Sequence, residues 1–198
     1  MDLAVARHIR SFLSDIPSRS HGLRIGLSLV AAYLTALSAQ VVIPIQPVPI
    51  TLQVFTVLLT SALLGPFYGG LSQVIYVVGG MAGLPWYACG GCTFGATAGY
   101  LAGFVAAGGL VGYMAHHHEF RGQFWRLTVA MTVGVVVIYI FGCLHLSAVM
   151  RTSYSQTLEM GVLPFIVPDM IKVAAAGAIV HGIFGPRWSP VNTNPRGM

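Results

Sequence analysis

Between Arg24 and Arg121 the chain has no lysine and no arginine. A stretch that long without a cation cannot coat a water-soluble fold, whose surface needs charged side chains to cover the core. The whole chain bears this out: of 198 residues 56% are hydrophobic and 8% charged, with a mean hydropathy of +0.78. An ordinary soluble domain carries about a quarter charged residues. The composition therefore places the chain among membrane proteins. A pI near 9.4 does not indicate a nucleic-acid partner, because the basic residues are few and scattered. The first twenty residues are polar and basic without an apolar core, so the first spanning helix is expected to act as its own insertion signal.

A perpendicular crossing needs about 20 apolar residues. The apolar runs predict an all-α, polytopic bundle of six transmembrane helices at about Gly22–Val42, Ile50–Leu64, Phe67–Met81, Gly99–Ala115, Trp125–Met150 and Gly161–Phe184. The second and third are short and joined through Gly65-Pro66, so four crossings plus a re-entrant hairpin is the alternative. Charge sets the orientation. With the N-terminus inside, Arg7, Arg10, Arg19, Arg24, Arg121, Arg126, Arg187 and Arg196 fall on the inner side and Arg151 on the outer. That asymmetry follows the positive-inside rule and puts both termini in the cytoplasm. The expected organisation is a cytoplasmic N-terminal segment (1–21), a membrane domain (22–185) and a cytoplasmic tail (186–198), in the cell (inner/plasma) membrane.

Two outer segments, about 43–49 and 82–98, are uncharged yet rich in Gly, Pro, Trp, Tyr, Thr and Gln. Irregular backbone at membrane depth is tolerated where it lines a cavity. Both segments are therefore expected to line a pocket that opens outward.

The sharpest motif is PDMIK, which sets Asp169 and Lys172 on one face of the last span. Ionisable groups inside a bilayer are costly and mark function by default. The plainer reading is a self-neutralising pair that orders helices. In PVPITLQ, Thr51 is placed to cap the second helix. Gln53 needs protein, water or a ligand around its amide; Gln46 has no assigned role. In GLPWYACGGCTFGATAGYL (83–101), Trp86, Tyr87, Phe94 and Tyr100 are candidates for apolar pocket walls, although an interfacial aromatic belt also uses Trp and Tyr. Cys89 and Cys92 form a CGGC pair without the further ligands that zinc requires, leaving a disulfide open. His116, His117 and His118 read as a solvated loop, and no metal site is expected. Ser28, Ala32 and Ala36 repeat every four residues, a stripe that lets another helix approach. No GxxxxGK[ST] occurs, so ATP-driven work needs a partner. No Ser–His–Asp or HExxH arrangement supports an enzyme.

IPIQPVPITLQVF, LLGPFYGGLSQVIYVVGGMAGLPWYA, GATAGYLAGF and PFIVPDMIK together resemble, in the same order, the BioY family, the biotin-specific substrate-binding component of energy-coupling factor (ECF) transporters. The likeness spans about residues 25–180. It implies a six-helix protein that takes biotin from outside without a cofactor, with a coupling subunit and an ATPase pair driving release inward. By this resemblance Asp169 and Lys172 contact the ureido ring, and Thr51, Gln53, Trp86, Tyr87 and Tyr100 complete the pocket. Ala32 and Ala36 would face the coupling subunit. The family's GPTGGYL reads GATAGYL here, with Ala96 and Ala98, and its glycine before the aspartate is Pro168. Some relatives supply an outer-loop cation for the biotin carboxylate; here backbone N–H groups around Gly90-Gly91, or the hydroxyls of Thr93 and Thr97, stand in its place.

Overall fold

Proline decides where the first helix must stop. Pro44, Pro47 and Pro49 lack N–H donors and cannot continue a helical ladder. In the computed structural model, which describes residues 11–13, 15–16, 19–88, 95–117 and 123–184, helix α1 runs His21–Ala39 and the chain then turns into a hairpin. Strand β1 (Val42–Ile43) pairs antiparallel with β2 (Ile50–Thr51), Val42 opposite Thr51 and Ile43 opposite Ile50. The first expected helix is thus shorter than Gly22–Val42. The second starts at Gln53 rather than Ile50, because those residues bond across the hairpin instead. Pairing also satisfies backbone groups that a bilayer would leave without partners.

Helices α2 (Gln53–Leu64) and α3 (Pro66–Met81) are joined by Gly65, whose φ of 85° suits a residue without a β-carbon. Helix α4 is Ala98–His116 and α5 is Phe124–Met150. After Arg151, which the charge reading puts outside, comes helix α6 (Tyr154–Gly161), opened by a capping box. The Gln156 N–H points at Ser153 Oγ, and the Gln156 side chain accepts from the Ser153 N–H at 3.1 Å. Val162 then breaks the chain before α7 (Leu163–Phe184). The last expected helix, Gly161–Phe184, therefore starts two residues later, at Leu163, and ends where expected.

Helices α1, α4, α5 and α7 are long and apolar enough to cross a membrane; α2 is a shorter apolar helix. Large apolar side chains stand on the outside of the bundle, Leu29, Val30, Tyr33, Val136 and Leu144 among them. Lipid is as apolar as these side chains, so close backbone approach and internal hydrogen bonds must hold such helices together. Two sets of glycines supply the approach. On the α3–α4 crossing, a β-carbon at Gly108 would lie 3.0 Å from the Gly69 carbonyl, and one at Gly112 2.5 Å from that of Gly65. On α4–α5, a β-carbon at Gly103 would lie 2.8 Å from the Cα of Ile138.

Ser28, Ala32 and Ala36 point inward, at 0%, 0% and 4% exposure, and Ser28 Oγ donates to the Tyr68 carbonyl. The stripe packs α1 against the bundle. His116 is not in a solvated loop. Its ring sits below Gly65, and Nε2 bonds to the Ala62 carbonyl at 2.9 Å, satisfying a carbonyl in the last turn of α2. His118, Cys89, Cys92, Phe94 and the groups at Gly90, Gly91 and Thr93 expected to meet the carboxylate lie outside the described residues.

Candidate functional site

A cavity of about 420 Å³ opens at the end of the bundle that carries the hairpin. Its walls come from distant parts of the sequence: the hairpin loop, the start of α2, α3, the residues before α4, α5 and α7. Cavities of this size hold small molecules.

One wall is charged. Asp169 on α7 is 1% exposed. Its Oδ1 accepts from Lys172 Nζ at 2.6 Å, one turn along the same helix. Its Oδ2 accepts from the Tyr139 hydroxyl of α5 at 2.8 Å. The i, i+3 spacing makes the first contact, and α5 packing on α7 makes the second. Two donors, one on each oxygen, fix the carboxylate in orientation, and both oxygens retain a lone pair for a further donor. Pro168, within α7 and next to the aspartate, withholds an N–H from the carbonyl four residues earlier.

The facing wall is polar and neutral. Gln53, 5% exposed at the first turn of α2, donates from Nε2 to the Tyr76 hydroxyl at 2.6 Å. Its Oε1 accepts from Thr51 Oγ1 at 2.8 Å. Thr51 gives α2 only a weak cap, its oxygen 3.4 Å from the Gln53 N–H. Tyr76 in turn donates to the Trp86 carbonyl at 3.4 Å. Around this network the aromatic segment folds back onto α3. Tyr87 rests over Gly80 and Trp86 over Gly79, where a β-carbon would lie 2.3 Å from either ring. The rings of Tyr76 and Trp86 are parallel with centroids 6.4 Å apart, and Tyr87 meets Tyr76 edge-on at 5.7 Å. The Tyr87 hydroxyl donates to the Val77 carbonyl, and burial holds its phenol above the ordinary tyrosine range, so it stays a neutral donor.

Tyr100 closes the third side. Its ring fills the space over Gly142, and its hydroxyl donates to the Gly161 carbonyl at 2.8 Å, where the chain breaks between α6 and α7. Thr97 forms the N-cap of α4 at the mouth, its side chain making no capping bond.

The structure thus brings Thr51, Gln53, Tyr87, Thr97, Tyr100, Asp169 and Lys172 to one cavity. Trp86 stands behind that wall, against Tyr76, rather than in it. Sequence reasoning missed Tyr76 and Tyr139, whereas the hairpin residues Ile45 and Val48 belong to the 43–49 segment expected to line a pocket. Tyr139 left a signal: a lone hydroxyl in the apolar run VVVIYIFG must find a partner. No group of His, Cys, Asp or Glu among the described residues is arranged to hold a metal ion.

Fold and cavity together define a polytopic membrane protein with a small-molecule site built between its helices. The sequence model of the BioY family matches residues 16–186, and the chain belongs to that family. A probable biotin transporter BioY of Pyrococcus horikoshii is 39% identical over 165 residues, covering 80% of this chain and 96% of that protein. The biotin transporter BioY of Thermotoga maritima is 35% identical over 150 residues, covering 74% and 86%. Among solved structures, the S-component for biotin from an ECF-type ABC transporter shares the fold with a TM-score of 0.75 at 23% identity, covering 83% of this chain and 94% of that one.

Proposed function

We propose that this protein takes up biotin, binding it in the cavity from the outer side of the cell membrane and releasing it inward. The observation that carries the reading is Asp169, held by Lys172 and Tyr139 in a cavity whose other walls are neutral. A ureido ring offers two N–H donors and one carbonyl acceptor. The Asp169 carboxylate accepts from the N–H groups, and the Lys172 ammonium, which has two N–H donors beyond the one given to Asp169, donates to the carbonyl. Tyr100, Phe165 and Phe104 supply apolar surface for the sulfur-containing ring and the aliphatic tail. The relatives named as biotin transporters support the ligand.

The chain crosses the membrane six times with both ends inside, on this reading. The hairpin extends α2 toward the surface, and α3 packs against α1 and α4 as a crossing helix does. The cavity mouth then lies outward, opposite the arginines of the inner segments. No covalent step and no cofactor are assigned to it. Without a P-loop, energised uptake draws on a coupling subunit and ATPase subunits, or the protein acts as a solitary transporter. The test is equilibrium binding of labelled biotin to the purified protein. Saturable binding at one site per chain is expected; no saturable binding would overturn the reading.

A further inference from the structure

The groups around Asp169 account for one end of the ligand. The other end of biotin is a carboxylate, and the structure offers it no counter-charge. Among the described residues only two charged ones line the cavity, Asp169 and Lys172, and they are bonded to each other at 2.6 Å. From Ile25 to His118 the sequence contains no Asp, Glu, Lys or Arg at all, so neither the hairpin loop nor the segment before α4 can bring a cation to the mouth. Lys172 is not available for the task. Moving its ammonium to the tail would strand a carboxylate that is 1% exposed, a loss larger than an ion pair near the mouth returns.

What the mouth does offer is neutral. Gln46 brings an amide and Thr97 a hydroxyl, and each has both a donor and an acceptor. Such groups serve an amide or ester as well as an ionised acid, since a carboxylate can only accept. Arg151, which follows the rim residue Met150, is solvent-exposed, where a charge is screened and adds little to affinity.

Resting on the biotin reading, we propose that the tail end of the site is charge-blind: the protein binds neutral amides and esters of biotin about as well as the free acid. The ligand class is then the ureido-thiophane head with a variable tail, the head being read by Asp169 and the tail by shape and by neutral hydrogen-bonding groups.

The test is competition against labelled biotin on the purified full-length protein, using unlabelled biotin, biotinamide and biotin methyl ester. Inhibition constants for the two neutral compounds within about tenfold of that for biotin are expected. Neutral compounds weaker than that by a larger factor would overturn the proposal while leaving biotin binding intact. Failure of labelled biotin to bind would remove the underlying reading instead, and the proposal with it. In a second arm, Arg151→Gln is expected to leave the acid-to-amide ratio unchanged. A loss confined to the free acid would assign the tail charge to Arg151 and overturn the proposal.

Discussion

At the hairpin end of the bundle, tyrosines stand around a space; at the opposite end, glycines and small aliphatics remove one. The core near the cavity is built from Tyr76, Tyr87, Tyr100, Phe104 and Phe165. The core beyond it is Leu58, Ala62, Val111, Leu127, Met131, Val135, Val173 and Val180. Both regions contain buried polarity, but they settle it differently. Near the cavity, long side chains reach across helices: Gln53 to Tyr76, Tyr100 to the Gly161 carbonyl, Tyr139 to Asp169. Further in, short hydroxyls mostly fold back on their own helix, as Thr35 does onto Ala31 and Thr60 onto Thr56. Reaching across leaves room between helices that a ligand can fill. Folding back lets backbones touch. One chain thus keeps a site open at one end by closing the other tightly.

If that division is right, damage at the two ends should read out differently. The largest effect is expected from Asp169→Asn. Hydrogen bonds to a charged acceptor contribute about 1.5–3 kcal/mol each, so losing the carboxylate that meets the two ureido N–H groups should raise the dissociation constant for biotin at least about 30-fold. The protein should still express and, with the amide oxygen of the new side chain left to accept from Lys172, lose less in thermal stability than in binding. Equilibrium binding and a melting curve in detergent check both halves of the statement. Gly112→Val should do the reverse. Its side chain would enter the 2.5 Å approach to Gly65, and overpacking of this kind costs about 1–3 kcal/mol. The melting temperature should fall, and the protein that remains folded should bind biotin with unchanged affinity. A smaller effect is expected from Tyr139→Phe, which removes one neutral donor from a carboxylate. Hydrogen bonds to charged groups contribute about 1.5–3 kcal/mol; with Lys172 still in place, a loss near the lower end, about tenfold in affinity, should appear in the same titration.

The coarse architecture was legible because hydropathy and charge report directly on lipid contact. Helices α3, α4 and α5 lie within a residue of the expected bounds at each end. What escaped were features decided by partners. The strand pairs Val42–Ile43 and Ile50–Thr51 are too short to show alternation, and only the hairpin's closure makes them pair. Small residues look alike whether they meet another helix of the same chain or another protein. The Ser28–Ala32–Ala36 stripe faces inward, while close backbone approaches between helices are made at Gly69, Gly108 and Gly112, which carried no label in the sequence. At the site, Asp169 and Lys172 announced themselves as charges in an apolar run. Tyr139 and Tyr76 did not, since a tyrosine in a membrane helix is ordinarily an interfacial anchor.

The central claim is that Asp169 and Lys172 recognise a ligand rather than order helices. Binding of labelled biotin to the double variant Asp169→Leu with Lys172→Met tests it most directly. Removing both charges together avoids a stranded partner, and apolar pairs of similar volume commonly keep or raise stability. The expected result is a folded, thermally stable protein that no longer binds biotin. A folded double variant with wild-type affinity would contradict the claim and leave the pair a structural one.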